Sequence, residues 1–186
     1  SVQNQCDALI ANNTIANSAR GLRLFDHFDR AGPPYCLFRG SGRATVINCI
    51  LWDCTNPFVL TDSTNGHSWA AAYYCNVEGG QAANSISANS TFIWGPGNIN
   101  VLPQFVSLSA TNYHLRPTSP CIDGGTNVTD IAPGFGFVLT NDFDGLARPL
   151  DGNGDGLARF DIGAYEVILA SADSNGNGIP DGWTQR

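Results

Sequence analysis

Three stretches of this chain repeat one another, and the repetition limits the fold more than any other feature. Ile10-Ala-Asn-Asn-Thr-Ile-Ala-Asn17 aligns with Val46-Ile-Asn-Cys-Ile-Leu-Trp-Asp53 and with Ala72-Tyr-Tyr-Cys-Asn-Val-Glu-Gly79. Each is a short alternating β segment that ends in a polar turn. The second interval is 26 residues, within the range of solenoid coils, while the first is 36 and predicts an inserted loop. Gly32-Pro33-Pro34 breaks any strand, so the insertion is placed around Asp29 to Gly42. Short strands at this period, without intervening helices, predict a parallel β-helix. One coil cannot bury its apolar side chains alone, whereas stacked coils share a continuous core.

The same alignment predicts specific contacts, because equivalent residues of neighbouring coils lie about 4.8 Å apart. Asn12 stacks on Asn48, each amide bonding to the next, and Cys49 stacks on Cys75 at a spacing that admits a disulfide. The alternative for the cysteines is buried free thiols packed as small hydrophobes.

Composition points the same way. Among 186 residues all nine basic side chains are Arg, and fourteen of the sixteen acids are Asp. The helix formers Lys, Glu and Met are therefore absent or nearly so, while Gly, Asn and Asp abound, as in an all-β chain of short strands and many turns. A net charge of −7 argues against nucleic acid as a partner, since phosphate binding needs a basic footprint. No apolar run approaches the roughly twenty residues of a membrane span. Six cysteines with no CxxC pair favour an oxidising compartment over a zinc or redox site. The lack of an initiator Met and of a signal peptide suits a mature segment.

The end of the chain carries two cation-type loops. Asp151-Gly-Asn153-Gly-Asp155-Gly156 and Asp173-Ser-Asn175-Gly-Asn177-Gly178-Ile-Pro-Asp181 place oxygen-bearing side chains at alternate positions beside glycine turns. Calcium needs six to eight oxygens at short range, which such a loop can wrap around one ion. In the first loop position twelve is Ile162 instead of Glu, with Asp161 one residue earlier as the substitute ligand. Neutral Asn ligands weaken affinity, and ordinary turn chemistry is the competing reading. Asp142 and Asp144 are weaker candidates. Arg148 is expected to pair with Asp161 or Asp144 and lock the terminal cap.

One cluster carries acid–base residues: Arg23, Asp26, His27 and Asp29, beside Arg30. Two carboxylates, a His and two Arg are what cleavage of an acidic glycan would use. Strand alternation, however, turns Asp26 away from His27, so a solvated, salt-bridged turn is the preferred reading. His67 and His114 are isolated and read as structural. Trp52, Trp69, Trp94 and Tyr73 read either as an aromatic platform for sugar rings or as core and ladder residues, with Trp52 placed in the core.

The motifs in order resemble a family. They are Ile47-Asn-Cys-Ile-Leu-Trp52, Tyr74-Cys-Asn-Val-Glu-Gly-Gly80, Gly97-Asn-Ile-Asn-Val-Leu-Pro-Gln-Phe105, the run from Asn112-Tyr-His-Leu115 to Cys121-Ile-Asp-Gly-Gly125, Asp142-Phe-Asp-Gly145 and Arg159-Phe-Asp-Ile-Gly-Ala-Tyr-Glu166. Over about residues 8–167 the chain resembles secreted bacterial right-handed parallel β-helix proteins of the choice-of-anchor Q type. Residues 173–183 resemble a thrombospondin type 3 calcium loop. The resemblance implies a fold and a location outside the cell or at its surface, and no activity, because this fold hosts lyases, adhesins and fibres alike.

The chain therefore reads as β-helix coils over 1–125, a loop-rich cap over 126–170 and a calcium loop with tail over 171–186. The expected function is non-catalytic: a calcium-stabilised structural module at the cell surface or beyond it. The chain enters its first repeat almost at once, without a capping helix, so either further coils or another copy is expected to cover that end. Head-to-tail contact of copies would give filaments. The alternatives are a lyase or hydrolase acting on acidic glycans, and a glycan-binding adhesin.

Overall fold

The computed structural model describes residues 6–25, 42–62, 67–136 and 138–168. They are rich in strand, with one helical turn, α1 (Val128–Ile131), and short 3-10 turns at Gly80–Ala83 and Pro133–Phe135. No helix among them is long and apolar enough to cross a membrane.

From β1 (Cys6–Ala11) to β6 (Asn76–Val77), successive strands alternate between two parallel sheets. One takes β1 (Cys6–Ala11), β3 (Gly42–Ile47), β5 (Trp69–Tyr73) and β8 (Thr91–Trp94), in that order. The other takes β2 (Thr14–Phe25), β4 (Ile50–Thr61) and β6 (Asn76–Val77), with β7 (Ser85–Ile86) also on β4. Ile10 pairs with Val46 and Val46 with Ala72, the register that the sequence repeat predicts. Two further strands, β9 (Phe105–Ser107) and β10 (Asn112–Leu115), form an antiparallel pair.

Alternation along the strands builds the main core. Ala44 and Val46 of β3, Ala70 and Ala72 of β5, and Leu51, Phe58 and Leu60 of β4 all point into it. β5 spends three consecutive alanines, poor strand formers, on this packing. Two of these alanines leave room beside them for larger groups. Phe92 and Trp94 on the neighbouring β8 pack against the core, and the Phe92 ring lies 4.8 Å from that of Phe58.

The corners between the sheets need left-handed backbone. Asn12, Asn48 and Tyr74 share φ 51°, and one corner further Asn17 and Asp53 share φ 54°. Asn and Asp tolerate this region because a short polar side chain satisfies local backbone, whereas Tyr74 is an outlier. The next corner residues, Cys49 and Cys75, cap amides in series: Asn13 N–H donates to Cys49 Sγ and Cys49 N–H to Cys75 Sγ, each at 3.4 Å.

Two contacts differ from expectation. Cys49 and Cys75 do stack, yet both are free, as are Cys54 and Cys121. Each stacked thiol donates to its own corner carbonyl at 3.2 Å, Cys49 to Ile47 and Cys75 to Tyr73. The sulfurs thus serve as hydrogen-bonding rungs, a role that a bridge would remove. Asn12 and Asn48 stack without bonding to each other. The Asn48 amide instead embraces Thr126, donating to its carbonyl at 2.7 Å and accepting its N–H at 2.9 Å. The Asn12 amide is buried with no partner among the described residues. A bridging water is the usual remedy for such a group.

A second core packs on the flank of β4. Ile50, Phe105, Leu115, Cys121, Ile122, Ile162 and Val167 form it, with Trp52 and Tyr113 beside them. It joins residues on both sides of position 125, so the packing does not divide there. Gly163 N–H donates to Asn48 carbonyl at 2.8 Å and Ala164 N–H to Thr14 Oγ1 at 3.2 Å, which clamps the cap to the corner column.

Candidate functional site

The separated motifs of the last third converge on one buried hub. Arg148 and Glu166 meet at 2.7 Å with both side chains fully buried. Arg148 Nη2 donates to Gly163 carbonyl at 2.9 Å, and Glu166 accepts the N–H groups of Asp161 and Leu150, each at 3.0 Å. Asp161 is buried beside them, and its oxygens accept the N–H groups of Asp123 and Val167 at 2.7 Å each. Burial, with the Glu166 charge next to it, pushes its pKa up to about 8. Burial also raises Glu166 and lowers Arg148 from their ordinary values. The expected partner of Arg148 was Asp161 or Asp144. The structure gives it Glu166, with Asp161 contributing only its carbonyl to the guanidinium, at 3.4 Å.

This placement bears on one candidate ligand. Asp161 serves the hub, and both its oxygens face backbone amides inside the cap, not the loop that begins at Asp151. The loop itself is built of Asx turns. Asp151 accepts the N–H groups of Gly154 and Gly156 at 2.7 and 2.8 Å, Asn153 that of Asp155 at 2.8 Å, and Asp155 that of Leu157 at 2.9 Å. Asp123, unnoticed in the sequence, accepts Asn153 N–H at 3.0 Å. Burial raises its pKa, and the charges of Asp151 and Asp155 add to the shift. Arg159 meets Asp155 at 2.7 Å and holds that carboxyl below its ordinary range. The donors are all oxygen, the set a hard cation takes, and each turn oxygen keeps a lone pair. A cation here would compete with Arg159 for Asp155. Among the described residues no group of three or more His, Cys, Asp or Glu side chains is gathered as a metal cage.

A second cluster lies on the surface. His114 Nε2 is 2.8 Å from Asp144 Oδ2, and His114 Nδ1 is 2.6 Å from Asn112 Oδ1. Its ring stacks on Tyr165 at 4.0 Å, and Phe143 meets Tyr165 edge-on at 5.9 Å. The histidine that looked isolated thus joins residues from three motifs. Asp142, by contrast, folds its own turn, accepting from Asp144, Leu146 and Glu166 backbone amides.

The remaining candidates scatter. Arg23 lies exposed on β2 with its guanidinium 5.1 Å from the Phe25 ring. Asp26, His27 and Asp29 lie outside the described residues, as do Asp173, Asn175, Asn177 and Asp181. Trp94 packs on the main core, Tyr73 packs against Ile47 under α1, and Trp69 lies beneath Arg43, whose guanidinium is 4.7 Å from the indole. The four aromatic residues therefore do not share one platform. Trp52 is half-buried and lines an open cleft with Leu102, Gln104, Phe105, Leu108 and Arg116.

Comparison with protein families, curated proteins and solved structures returns no match to this chain.

Proposed function

We propose that this chain is a non-catalytic structural module of the right-handed parallel β-helix type, working outside the cell or on its surface. Copies associate head to tail, and calcium at the Asp151–Asp155 loop stiffens the cap. The observation that carries the reading is the strand order β1-β3-β5-β8, parallel throughout and in the register of the sequence repeat. Among the described residues its two outermost strands, β1 and β8, present edges at opposite ends, while the second core packs against the flank. A strand edge is a row of unpaired backbone groups and so a template for another chain. Repeating such a contact by translation gives a filament.

Calcium at the loop would be held by Asp151, Asn153 and Asp155, neutralising the charge that Asp123 and Asp151 share. The test is electron microscopy beside light scattering, with millimolar calcium and with chelator. Ordered fibres, and a melting temperature that drops on chelation, are expected. A protein that stays monomeric at every concentration would overturn the assembly, and a melt indifferent to chelator would overturn the metal.

A further inference from the structure

We infer that the cleft between Trp52 and Arg116 is a binding site for a carboxylated sugar ring, one hexuronate unit of an acidic polysaccharide. This is independent of head-to-tail assembly, since it uses the flank of the molecule. The cleft encloses about 260 Å³. That is below the roughly 300–1,000 Å³ of sites that engulf a drug-sized molecule. It suits a single ring, with the rest of a polymer lying across open surface.

Backbone geometry explains why the indole is available. Leu51 points into the main core, so Trp52 faces the opposite way, toward the second. Its rung partner on β2 is Ala16, which contributes only a methyl group on that side. Trp52, Phe105, Leu102 and Leu108 give the cleft an apolar wall, the complement of the C–H face of a pyranose.

Two polar groups at the cleft have capacity to spare. Arg116 donates from Nε to Phe105 carbonyl at 3.2 Å and from Nη2 to Val106 carbonyl at 2.9 Å, which fixes the plane of the guanidinium. Its Nη1 has no acceptor among the described residues. Arg43, Arg148 and Arg159 each meet a carboxylate. Among the described residues Arg116, like Arg20 and Arg23, meets no carboxylate, and of these three it alone lines the cleft. A fixed, unpaired guanidinium against an apolar wall is matched best by a planar carboxylate, which it can hold by two parallel hydrogen bonds. Gln104 accepts from Thr118 Oγ1 through Oε1, leaving its NH₂ group to donate to a ring oxygen or hydroxyl. The Arg116 N–H donates to Gln104 carbonyl at 2.9 Å, so the two recognition residues are mutually positioned.

The experiment is calorimetric titration of the whole chain with trigalacturonate and with a neutral trisaccharide, cellotriose. The acidic trimer should bind, and the neutral one at least tenfold more weakly. Leu102→Glu places an internal carboxylate at the rim of the cleft on a side chain that is 65% exposed, where it should leave the melting temperature unchanged. It should abolish binding, and Trp52→Phe should weaken it several-fold. Equal affinity for the neutral sugar would overturn recognition of the carboxylate. Undiminished binding by Leu102→Glu would place any sugar site elsewhere. No heat at millimolar trigalacturonate would remove the site altogether, and a filament seen in the same sample would leave the assembly proposal standing.

Discussion

Arg148 and Glu166, eighteen positions apart in sequence, form a fully buried ion pair at 2.7 Å that ties the Arg148–Leu150 stretch to the Arg159–Glu166 motif. Such a pair is weak evidence of net stability, because desolvation offsets most of the attraction. Losing one partner is a different matter, since it strands a charge in the interior. Arg148→Met alone and Glu166→Gln alone should each destabilise the protein by about 3–5 kcal/mol. The double variant should lose less than the sum of the two. Urea titrations of the four proteins check this, and additive losses would mean that the two side chains act independently.

The neighbour of that pair sets a dependence on pH. Asp161 ionises near 3.8 when unfolded and near 8 when folded, because burial and the Glu166 charge oppose its carboxylate. Between those values the unfolded chain has released a proton that the folded chain retains, so stability falls as pH rises. The contribution is complete below about pH 4 and lost above about pH 8. Asp155 runs the other way, since Arg159 holds it low, and it takes stability away only as pH drops below the ordinary carboxylate range. Melting temperature without divalent cations should therefore decline from pH 5 to 8. Asp161→Asn should flatten that slope, and should also lower the acid-side melt because its NH₂ faces an N–H donor. A wild-type curve that rises over this window would contradict the assignment.

The repeated parallel strands were more legible than the segment after residue 125 for a physical reason. A repeat writes the same requirement three times, so Ile10, Val46 and Ala72 could be aligned without any structure, and they pair in that register. The cap has no repeat. His114 looked isolated because its partners, Asp144 and Tyr165, lie 30 and 51 positions away in the sequence. Arg116 gave no signal because an arginine that binds two carbonyls is indistinguishable in sequence from a surface charge. For Cys49 and Cys75 the sequence left a bridge and free thiols open: stacking predicted proximity, which serves the thiol ladder of the structure equally well. Glu166 was visible as one of only two glutamates in the chain. Its role depended on burial, which the residue type argues against.

The thiol ladder makes its own prediction. Burial raises the pKa of Cys54 and Cys75, and that of Cys121 to about 11, so none of them is a ready nucleophile. With Cys6 and Cys36 both replaced by Ser, reductant should leave the melting temperature unchanged. A thiol reagent should modify Cys49, Cys54, Cys75 and Cys121 only once denaturant is added, as peptide mapping would show. Cys75→Ser keeps a rung donor and acceptor, whereas Cys75→Val leaves Cys49 N–H unpaired and should cost about 1–3 kcal/mol. Modification of these residues in the native protein at neutral pH would show that the ladder opens.

The column above Tyr74 supplies the most local test. Tyr74 holds φ 51°, and Gly97 holds φ 74° with its backbone against the tyrosine ring. A Cβ built on Gly97 would come within 2.3 Å of Tyr74 Cδ1, far inside contact distance. Gly97→Ala therefore meets two penalties at once: a left-handed backbone that L residues avoid, and a ring that can move only by leaving its place beside the corner. The variant should lose about 2–4 kcal/mol, a large share of the marginal stability of one domain. Tyr74→Gly relieves the backbone at its own position but empties the site. Combined with Gly97→Ala, it should recover part of the loss, because the ring that clashes is gone. Denaturant midpoints of the two singles and the double decide it. A double variant no better than Gly97→Ala alone would mean that backbone strain, not the tyrosine ring, sets the cost at this corner.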